Sequence, residues 1–313
     1  MELLFIIDPV DTLKAYKDTT VTMMRAAQAH GHAVHVCEQA SLAWRGADVV
    51  AESQRITVSA SDDDWFEAHE RAERTLQSFA AVLMRKDPPF DLEYVTSTWL
   101  LSAAERRGAR VFNAPAAIRD HNEKLAIAEF PQFVAPTLVS RDPQRLHAFI
   151  DAERDVVVKR LDVMGGENIF RVQAGDPNRN VIIETMARGG ERSVMAQRFI
   201  PEIRDGDKRI LLIDGVAVPH CLARIPKAGE SRGNLAAGGR GVAQPLSPRD
   251  RQIATAIGPP LAARGLLLVG LDVIGDWLTE INVTSPTCFR EIHDQTGFDV
   301  AGTFLGALEA RLA

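Results

Sequence analysis

Cysteine is scarce in this sequence: Cys37, Cys221 and Cys288 are the only three in 313 residues, and they lie far apart. An odd number of widely spaced cysteines argues against a disulfide framework and favours a reducing, cytoplasmic environment. No apolar run approaches the roughly 20 residues of a transmembrane helix. The N-terminus has an acidic residue, Glu2, and only five consecutive apolar residues where a signal peptide needs positive charge and a longer run. The sequence therefore predicts a cytoplasmic protein without a membrane partner.

Positive charge is also in deficit, because 36 Lys and Arg face 42 Asp and Glu, which gives a net charge of −6. This balance argues against a nucleic-acid partner. The content of 46% hydrophobic and 25% charged residues is typical of a globular protein, and the length allows two domains. No Gly-x-Gly-x-x-Gly follows the first predicted strand, so the usual dinucleotide site is not expected.

The first third of the chain alternates predicted strands with predicted helices. Strands are expected at 3–7, 33–37, 81–84 and 110–112, and helices at 19–29 and 93–107. This alternation indicates parallel βαβ units. A break at Asn113-Ala-Pro115 suggests an N-terminal α/β domain over 1–121, followed by a second domain over 122–313.

The remainder mixes helices with strands and hairpins. Helices are expected around 122–125 and at 143–153, 249–263 and 303–311, and strands at 156–159, 182–186 and 193–199. Residues 210–218 are predicted to form a hairpin, because Asp214-Gly215 is a strong signal for a two-residue turn.

That hairpin allows a prediction of register. A two-residue turn pairs Ile213 with Val216, which sets Arg209 opposite His220 and points Arg209 and Arg224 to the same face. The two cations then either converge on an anionic ligand or lie solvated at the sheet margins. The spacing alone leaves both interpretations open.

A second hairpin, around Gly275-Asp276, carries three oxygen ligands on apolar strands: Asp272, Glu280 and Asn282. Such groups suit a hard cation such as Mg²⁺ together with nucleotide phosphates. A strict two-residue turn would set Asp272 opposite Thr279 and point Glu280 to the other face. For all three to reach one metal, we expect either an odd-numbered loop or a β-bulge. The alternative is that they are ordinary surface carboxylates.

One lysine and two loops complete the candidate site. Lys159 ends an apolar strand before the loop Met164-Gly-Gly-Glu167, whose glycines let backbone N–H groups approach phosphates. The glycine-rich loop 225–241 is too long for a passive connection. We interpret it as a mobile lid, against the alternative of a disordered linker.

Histidine and cysteine indicate little chemistry. His30, His32 and His35 surround a turn, but no acidic partner or cysteine pair completes a zinc pattern in the sequence. We interpret these histidines as solvated or helix-end residues and Cys288 as structural.

Six segments together resemble the bacterial glutathione synthetases, a family of ATP-grasp ligases. They are Met84-Arg-Lys-Asp-Pro-Pro-Phe-Asp91, Asn122-Glu-Lys-Leu125, Asp205-Gly-Asp-Lys-Arg209, Cys221-Leu-Ala-Arg-Ile-Pro226, Arg232-Gly-Asn-Leu-Ala-Ala-Gly-Gly-Arg-Gly241 and Leu278-Thr-Glu-Ile-Asn-Val-Thr-Ser-Pro-Thr287. The resemblance implies a parallel-sheet (pre-ATP-grasp) domain followed by a two-lobed α+β ATP-grasp domain. The lobes are expected at about 122–200 and 201–313, with a lid at about 225–241.

The resemblance also implies a reaction. ATP phosphorylates the cysteinyl carboxylate of γ-glutamylcysteine, and glycine attacks the acyl phosphate to give glutathione, ADP and phosphate. Mg²⁺ or Mn²⁺ is the implied cofactor, and a homotetramer the implied assembly. Phosphoryl transfer needs cations and positioning rather than a nucleophilic side chain. The sequence agrees, since it contains no Ser-His or Cys-His arrangement.

The family's functional residues carry over onto matching positions. The implied nucleotide contacts are Lys124, Lys159, Gly165, Gly166, Gln197, Arg198, Phe199, Ile200 and Asp207. The implied metal ligands are Asp272, Glu280 and Asn282, and the implied catalytic cations are Arg209, Arg232 and Arg240. The implied substrate contacts are Arg224, Asn234, Ser285 and Thr287. No role follows for residues 85–91.

One segment departs from the family pattern, Lys-Pro-Leu-Asp-Gly-Met-Gly-Gly. This chain carries Arg160 and Val163 in place of the proline and the first glycine. Both changes stiffen or re-aim the small loop, and activity is expected to survive. Two other functions stay open: a different ATP-grasp carboxylate–amine ligase, and a nucleotide-binding regulatory or scaffold protein on the same fold.

Overall fold

The computed structural model describes residues 1–163, 168–230, 233, 235 and 238–313. Its strands are β1 (Glu2–Ile7), β2 (Ala33–Glu38), β3 (Ala43–Arg45), β4 (Asp48–Val58), β5 (Phe66–Thr75), β6 (Ala81–Met84), β7 (Val111–Phe112), β8 (Thr137–Ser140), β9 (Asp155–Arg160), β10 (Ile169–Gln173), β11 (Val194–Arg198), β12 (Asp207–Ile213), β13 (Val216–Ile225), β14 (Arg240–Pro245), β15 (Leu268–Ile274) and β16 (Trp277–Asn282). Its α-helices are α1 (Thr19–Ala29), α2 (Leu92–Glu105), α3 (Pro115–Asp120), α4 (Pro143–Glu153), α5 (Arg179–Ala187), α6 (Pro248–Ala263), α7 (Phe289–Thr296) and α8 (Val300–Leu312).

The N-terminal sheet has the strand order β3-β4-β2-β1-β6-β7, with β5 paired to β4. The pairs among β2, β1, β6 and β7 are parallel, as the strand–helix alternation predicted. The antiparallel extension β3–β5 was not predicted. Most of β5 is exposed and its sequence, Glu-Ala-His-Glu-Arg-Ala-Glu-Arg, carries no apolar alternation to mark a strand.

The middle sheet, β10-β9-β11-β8, is antiparallel and is covered by α4 and α5. Here the predicted strand at 182–186 is wrong, because these residues belong to α5. The run Val181-Ile182-Ile183 has strand-like composition, yet Ile183, Met186 and Ala187 are buried at helical spacing while Val181 is exposed. A short apolar run does not distinguish the two periods without its partners.

The predicted helix around 122–125 is also wrong, since α3 ends at Asp120 and a 3₁₀ helix covers Leu125–Glu129. Between them the Asn122 side-chain oxygen accepts the backbone N–H groups of Lys124 at 3.2 Å and Leu125 at 3.0 Å. Asparagine favours this local bonding over a continuing helix.

The C-terminal sheet, β14-β13-β12-β15-β16, is antiparallel and contains both predicted hairpins. At the first, Asp214 (φ 48°) and Gly215 (φ 79°) form the expected turn, and Ile213 pairs with Val216. The register then shifts between Ile210 and Leu212.

That shift sets Arg209 opposite Leu222, so the predicted pairing of Arg209 with His220 is wrong. The irregular stretch of β13 contains Pro219, which cannot donate a ladder hydrogen bond. Because the shift is by two residues, Arg209 and Arg224 keep a common face.

The hydrophobic cores show which sheets pack together. Two of the cores combine residues of the N-terminal and C-terminal sheets, whereas the third lies within the middle sheet and its helices. The predicted break at Asn113 is a buried joint: the Asn113 Nδ2 donates to the carbonyls of Leu268 (2.7 Å) and Val283 (2.8 Å), and its Oδ1 accepts from the Leu268 N–H.

No helix in the described residues has both the length and the apolar character of a membrane span.

The turn at Gly215 also fixes the hairpin against α6. A Cβ on Gly215 would lie 2.9 Å from Ala262 Cβ and 3.0 Å from the Gly258 carbonyl, whereas Gly46, also at positive φ, has nothing within 4 Å. We expect Gly215→Ala to lower the free energy of unfolding by about 1–2 kcal/mol more than Gly46→Ala, because only the first adds overpacking to backbone strain. Urea unfolding of both variants measures this, and equal losses would contradict the packing argument.

Candidate functional site

A cavity of about 610 Å³ opens where the N-terminal, middle and C-terminal sheets meet. This volume is typical of small-molecule sites. The predicted site residues that line it are Lys124, Lys159, Gln197, Arg198, Phe199, Ile200, Asp207, Arg209, Arg224, Asp272, Glu280, Asn282, Ser285 and Thr287.

Of the remaining predicted site residues, only Arg240 is among those that the structure describes. Arg240 is exposed at the start of β14 and does not line the cavity. Gly165, Gly166, Arg232 and Asn234 lie outside the described residues.

The β15–β16 hairpin contains the predicted bulge. Its register shifts after Asp272, so that Asp272 lies opposite Glu280 and Thr279 is the extra residue. The Thr279 hydroxyl donates to the Asp272 carbonyl at 3.1 Å. Glu280 and Asn282 are two apart on one strand, so the bulge brings all three oxygen ligands to the same face.

Asp272 is held between two buried arginines. Arg209 lies directly opposite on β12 and donates from Nε (2.5 Å) and a terminal nitrogen (2.9 Å), while Arg224 approaches within 2.8 Å. Burial acts to raise the pKa of Asp272, but the two guanidinium charges outweigh it and hold the pKa well below its usual range. Both arginines are buried, which excludes the interpretation of solvated cations at the sheet margins.

Asp207 is the member of this charge cluster whose hydrogen bonds are incomplete. Its Oδ2 accepts from Arg224 at 2.5 Å, whereas its Oδ1 is buried without a hydrogen-bond partner among the described residues. Burial raises the pKa of Asp207 to about 7; Arg224 opposes the shift, and the charges of Asp272 and Glu280 add to it. A bound donor group would therefore stabilise this carboxylate.

Two buried lysines face Glu280. Lys124 Nζ donates to the Val163 carbonyl at 2.6 Å and lies 3.5 Å from Glu280. Lys159 Nζ donates to the Thr279 carbonyl at 3.2 Å and lies 3.8 Å from Glu280. Burial lowers the pKa of Lys159, and the nearby Lys124 charge adds to that effect. Such cations suit an anion that enters the cavity.

The small loop, which carries the substitutions Arg160 and Val163, contributes a backbone contact to Lys124. Lys124 is held by the backbone carbonyl of Val163, which any side chain at that position would supply. Arg160 makes a bidentate contact with Asp162 at 2.9 and 2.5 Å, so it is anchored within its own loop.

The oxygen ligands fit a hard cation. Asn282 uses its Nδ2 to donate to the Gly270 carbonyl at 3.2 Å, which leaves its side-chain oxygen as an acceptor. Glu280 contacts the two lysines only at 3.5 Å or more, and Asp272 presents a fully ionised carboxylate. Two carboxylates and one amide oxygen form a donor set that Mg²⁺ accepts.

The segment Gln197–Arg198–Phe199–Ile200 borders the cavity from the middle sheet. The Gln197 side chain donates to Thr137 Oγ1 at 2.9 Å, and the Arg171 guanidinium stacks 3.7 Å from the centroid of the Phe199 ring. Val157 and Ile274 also line the cavity. These apolar walls, with fixed polar neighbours, suit a planar base.

Sequence reasoning missed the residues that the N-terminal sheet contributes. Asp8 and Asp87 follow the adjacent parallel strands β1 and β6 and line the cavity. Lys86 contacts Asp8 at 2.8 Å, and the Asp87 N–H donates to Asp8 at 3.1 Å. The signal was available, because ligands bind at the carboxyl ends of parallel strands.

Residues 85–91 form part of the joint between sheets. Buried Arg85 donates to Thr20 Oγ1 at 3.1 Å and to the Pro286 carbonyl at 3.0 Å. Glu123, also missed, accepts from the N–H groups of Val283 and Thr284 at 2.8 and 3.0 Å and so fixes the end of β16. Both residues hold β16 and the segment that follows it in position.

Cysteine gives no sign of nucleophilic chemistry here. Cys288 borders the cavity, but burial raises the pKa of its thiol to about 11, which keeps it protonated at neutral pH. This agrees with its interpretation as a structural residue.

The chain is similar to known proteins over almost its whole length. Models of prokaryotic glutathione synthetase match the chain, the N-terminal domain over residues 1–119 and the ATP-grasp domain over residues 123–297. The glutathione synthetase of Ralstonia nicotianae is 60% identical over 309 residues, which cover 99% of this chain and 95% of that one.

Two solved structures share the fold. D-cycloserine synthetase DcsG matches with a TM-score of 0.69 at 18% identity, covering 99% of this chain and 100% of that one. The ATP-grasp ligase PsnB, solved with a minimal precursor, Mg and ADP, matches with a TM-score of 0.62 at 17% identity, covering 99% and 98%. The expected ATP-grasp fold is confirmed.

The buried Arg209–Asp272–Arg224 cluster predicts a large loss of stability on neutralisation. Asp272→Asn leaves two buried guanidinium groups short of a counter-charge, so we expect the free energy of unfolding to fall by about 3 kcal/mol or more. Asp155→Asn is the control, because Asp155 makes the same bidentate contact with Arg171 near the surface. It should lose about 1 kcal/mol or less. Denaturant unfolding compares the two, and similar losses would contradict the account.

Asp207 predicts a pH-dependent difference between the wild type and Asp207→Asn. Its folded pKa, about 7, exceeds the unfolded value, so its contribution to stability is complete at low pH and is lost as pH rises through 7. Between pH 6 and 8 the wild type should lose about 1 kcal/mol relative to Asp207→Asn. Urea midpoints measured at pH 5, 6, 7 and 8 test this. A constant difference across that range would show that Asp207 does not titrate there.

Proposed function

This chain belongs to the prokaryotic glutathione synthetase family and is an ATP-dependent carboxylate–amine ligase; on that premise we propose that it joins γ-glutamylcysteine to glycine. ATP phosphorylates the cysteinyl carboxylate, the glycine amine displaces phosphate from the acyl phosphate, and glutathione, ADP and phosphate are released. The observation that carries the proposal is the cavity in which four buried cations face the oxygen ligands Asp272, Glu280 and Asn282.

We propose that the nucleotide lies between the middle and C-terminal sheets. Lys124 and Lys159 bind its phosphates, together with Gly165 and Gly166 of the small loop. The segment 197–200 borders the base, and Asp207 accepts from a nucleotide hydroxyl. The buried ammonium groups and the unpartnered Asp207 oxygen support these roles.

We propose Mg²⁺, or Mn²⁺ in its place, as the cofactor. Asp272, Glu280 and Asn282 would hold it, because their oxygens share one face of the bulged hairpin. When bound, the ion neutralises charge on the transferring phosphoryl group.

We propose that Arg209 stabilises the negative charge that develops on the reacting carboxylate. Asp272 holds its guanidinium in a fixed position, so no reorganisation is needed during the reaction. Arg224, Ser285 and Thr287, which all line the cavity, contact the peptide or glycine carboxylate. Proposed contacts from the loop 225–241 are those of Asn234 with substrate and of Arg232 and Arg240 with the phosphoryl group.

The reaction needs protection from water, because an acyl phosphate hydrolyses readily. We propose that the loop 225–241 is the lid. We also propose domains at 1–121 and 122–313, the second with lobes at about 122–200 and 201–313. The separate core of the middle sheet supports a lobe that closes as one body.

We propose a cytoplasmic homotetramer. Three free, buried thiols suit a reducing compartment. The exposed apolar side chains Trp44, Leu92 and Trp99 offer surface for subunit contacts. Light scattering of the purified protein tests the tetramer.

The decisive experiment measures ADP release with Mg-ATP and γ-glutamylcysteine, with and without glycine. We expect turnover that requires both substrates and yields glutathione. Glu280→Gln should reduce kcat by about 100-fold or more, because it removes a proposed metal ligand. Asp276→Asn, an exposed acid at the tip of the same hairpin, is the matched control and should keep full activity.

Two outcomes would count against the proposal. Turnover with a different acid and amine, but not with this pair, would assign another ligase activity. Nucleotide binding without turnover on any such pair would favour the regulatory or scaffold interpretation.

A further inference from the structure

His30, His32 and Glu309 form a cluster at the C-terminal end of α1, whereas Thr19, at the start of this helix, lines the cavity. Glu309 Oε1 lies 3.1 Å from His30 Nδ1 and 2.8 Å from His32 Nε2. The three ligand atoms all lie within 4.8 Å of one another, and no other group of three His, Cys, Asp or Glu side chains in the described part of the chain meets that criterion. None of these residues lines the cavity or takes part in the proposed reaction.

The backbone fixes the two histidines. Helix α1 ends at His30, and Gly31 adopts φ 80°. The His32 N–H donates to the Ala27 carbonyl and the Gly31 N–H to the Gln28 carbonyl, both at 2.9 Å, which is a Schellman motif. The imidazoles thus leave a rigid turn on the same side, so little freedom would be lost on binding an ion.

Glu309 comes from α8, which packs on α1. One oxygen of Glu309, Oε1, lies within hydrogen-bond distance of both imidazoles. Its side chain is 35% exposed, His30 is 37% exposed and His32 is buried, so the cluster opens to water on one side.

We propose that His30 Nδ1, His32 Nε2 and Glu309 Oε1 bind a borderline divalent cation, for which Zn²⁺ is the best match, with water as the fourth ligand. Two imidazoles and a carboxylate form a known zinc donor set, and ligand bonds of about 2.0–2.2 Å need only small movements from the observed separations. The ATP site, with oxygen ligands alone, suits hard cations instead.

Metal binding here has a structural consequence. The ion joins the turn after α1 to the C-terminal helix, and a ligand that binds only the folded chain stabilises it by mass action. Without metal, the two histidines are joined to Glu309 only by hydrogen bonds. The experiment below distinguishes a metal site from a hydrogen-bonded cluster.

The test uses the full-length, tag-free protein stripped of metal with a chelator. Co²⁺ titration should give the intense visible absorption of a tetrahedral site, and Zn²⁺ should abolish it stoichiometrically. Glu309→Gln and His30→Gln should each weaken Co²⁺ and Zn²⁺ binding by about 10-fold or more. His69→Gln is the matched control: it removes a surface imidazole 4.0 Å from Glu67 and should leave affinity unchanged. Circular dichroism confirms that each variant is folded.

Two further readouts distinguish this site from the ATP site. Zn²⁺ should raise the melting temperature of Glu280→Gln but not of Glu309→Gln. Anomalous diffraction from Zn²⁺-soaked crystals should give a peak between His30, His32 and Glu309. The proposal is overturned if the wild type gives no Co²⁺ spectrum, or if the spectrum survives Glu309→Gln and disappears with Glu280→Gln.

Discussion

The pairing of Asp272 with Arg209 and Arg224 is the interaction on which the site depends. A buried carboxylate between two buried guanidinium groups is stable only when its hydrogen bonds are complete, because burial removes the alternative of water. The three residues belong to the adjacent strands β15, β12 and β13, so their contact requires all three strands to keep register. A slip of one residue would turn each side chain to the other face of the sheet.

That constraint links the two irregularities of the C-terminal sheet. The shift in β12–β13 keeps Arg209 and Arg224 on one face, and the bulge at Thr279 brings Glu280 opposite Asp272. Each irregularity breaks the ladder locally. The bulge re-aims Glu280 to the face of Asp272, whereas the two-residue shift leaves the common face of Arg209 and Arg224 unchanged. Bulges occur commonly beside functional sites for this reason, since they re-aim a side chain without changing the rest of the strand.

The division of the cores explains why the cavity lies where it does. The N-terminal and C-terminal sheets share two cores and are tied by Asn113, Arg85 and Glu123. Most buried residues of the middle sheet instead form a third core with α4 and α5, although Met195 of β11 joins one of the shared cores. The cavity lies where the middle sheet meets the other two. Part of its lining is the fixed charge cluster, and another part is Lys159 and the segment 197–200 of the middle sheet.

The sequence by itself determined the features that depend on neighbours in the chain. Local turn chemistry predicted the Asp214-Gly215 hairpin, and the helical pattern before Gly31 predicted α1 with its observed bounds. The alternation of faces predicted an irregularity in the β15–β16 hairpin, which the structure places at Thr279. It failed at 182–186, where an apolar run fits either period until its packing partners are known. Only the tertiary structure decided which charges meet. It brings Asp8 to Lys86 and Arg224 to Asp272. It also brings His32 to Glu309, which lies 277 residues further along the chain. Burial and long-range contact set the ionisation and hydrogen bonding of these groups, and neither quantity is encoded in the residues that lie beside them in the sequence.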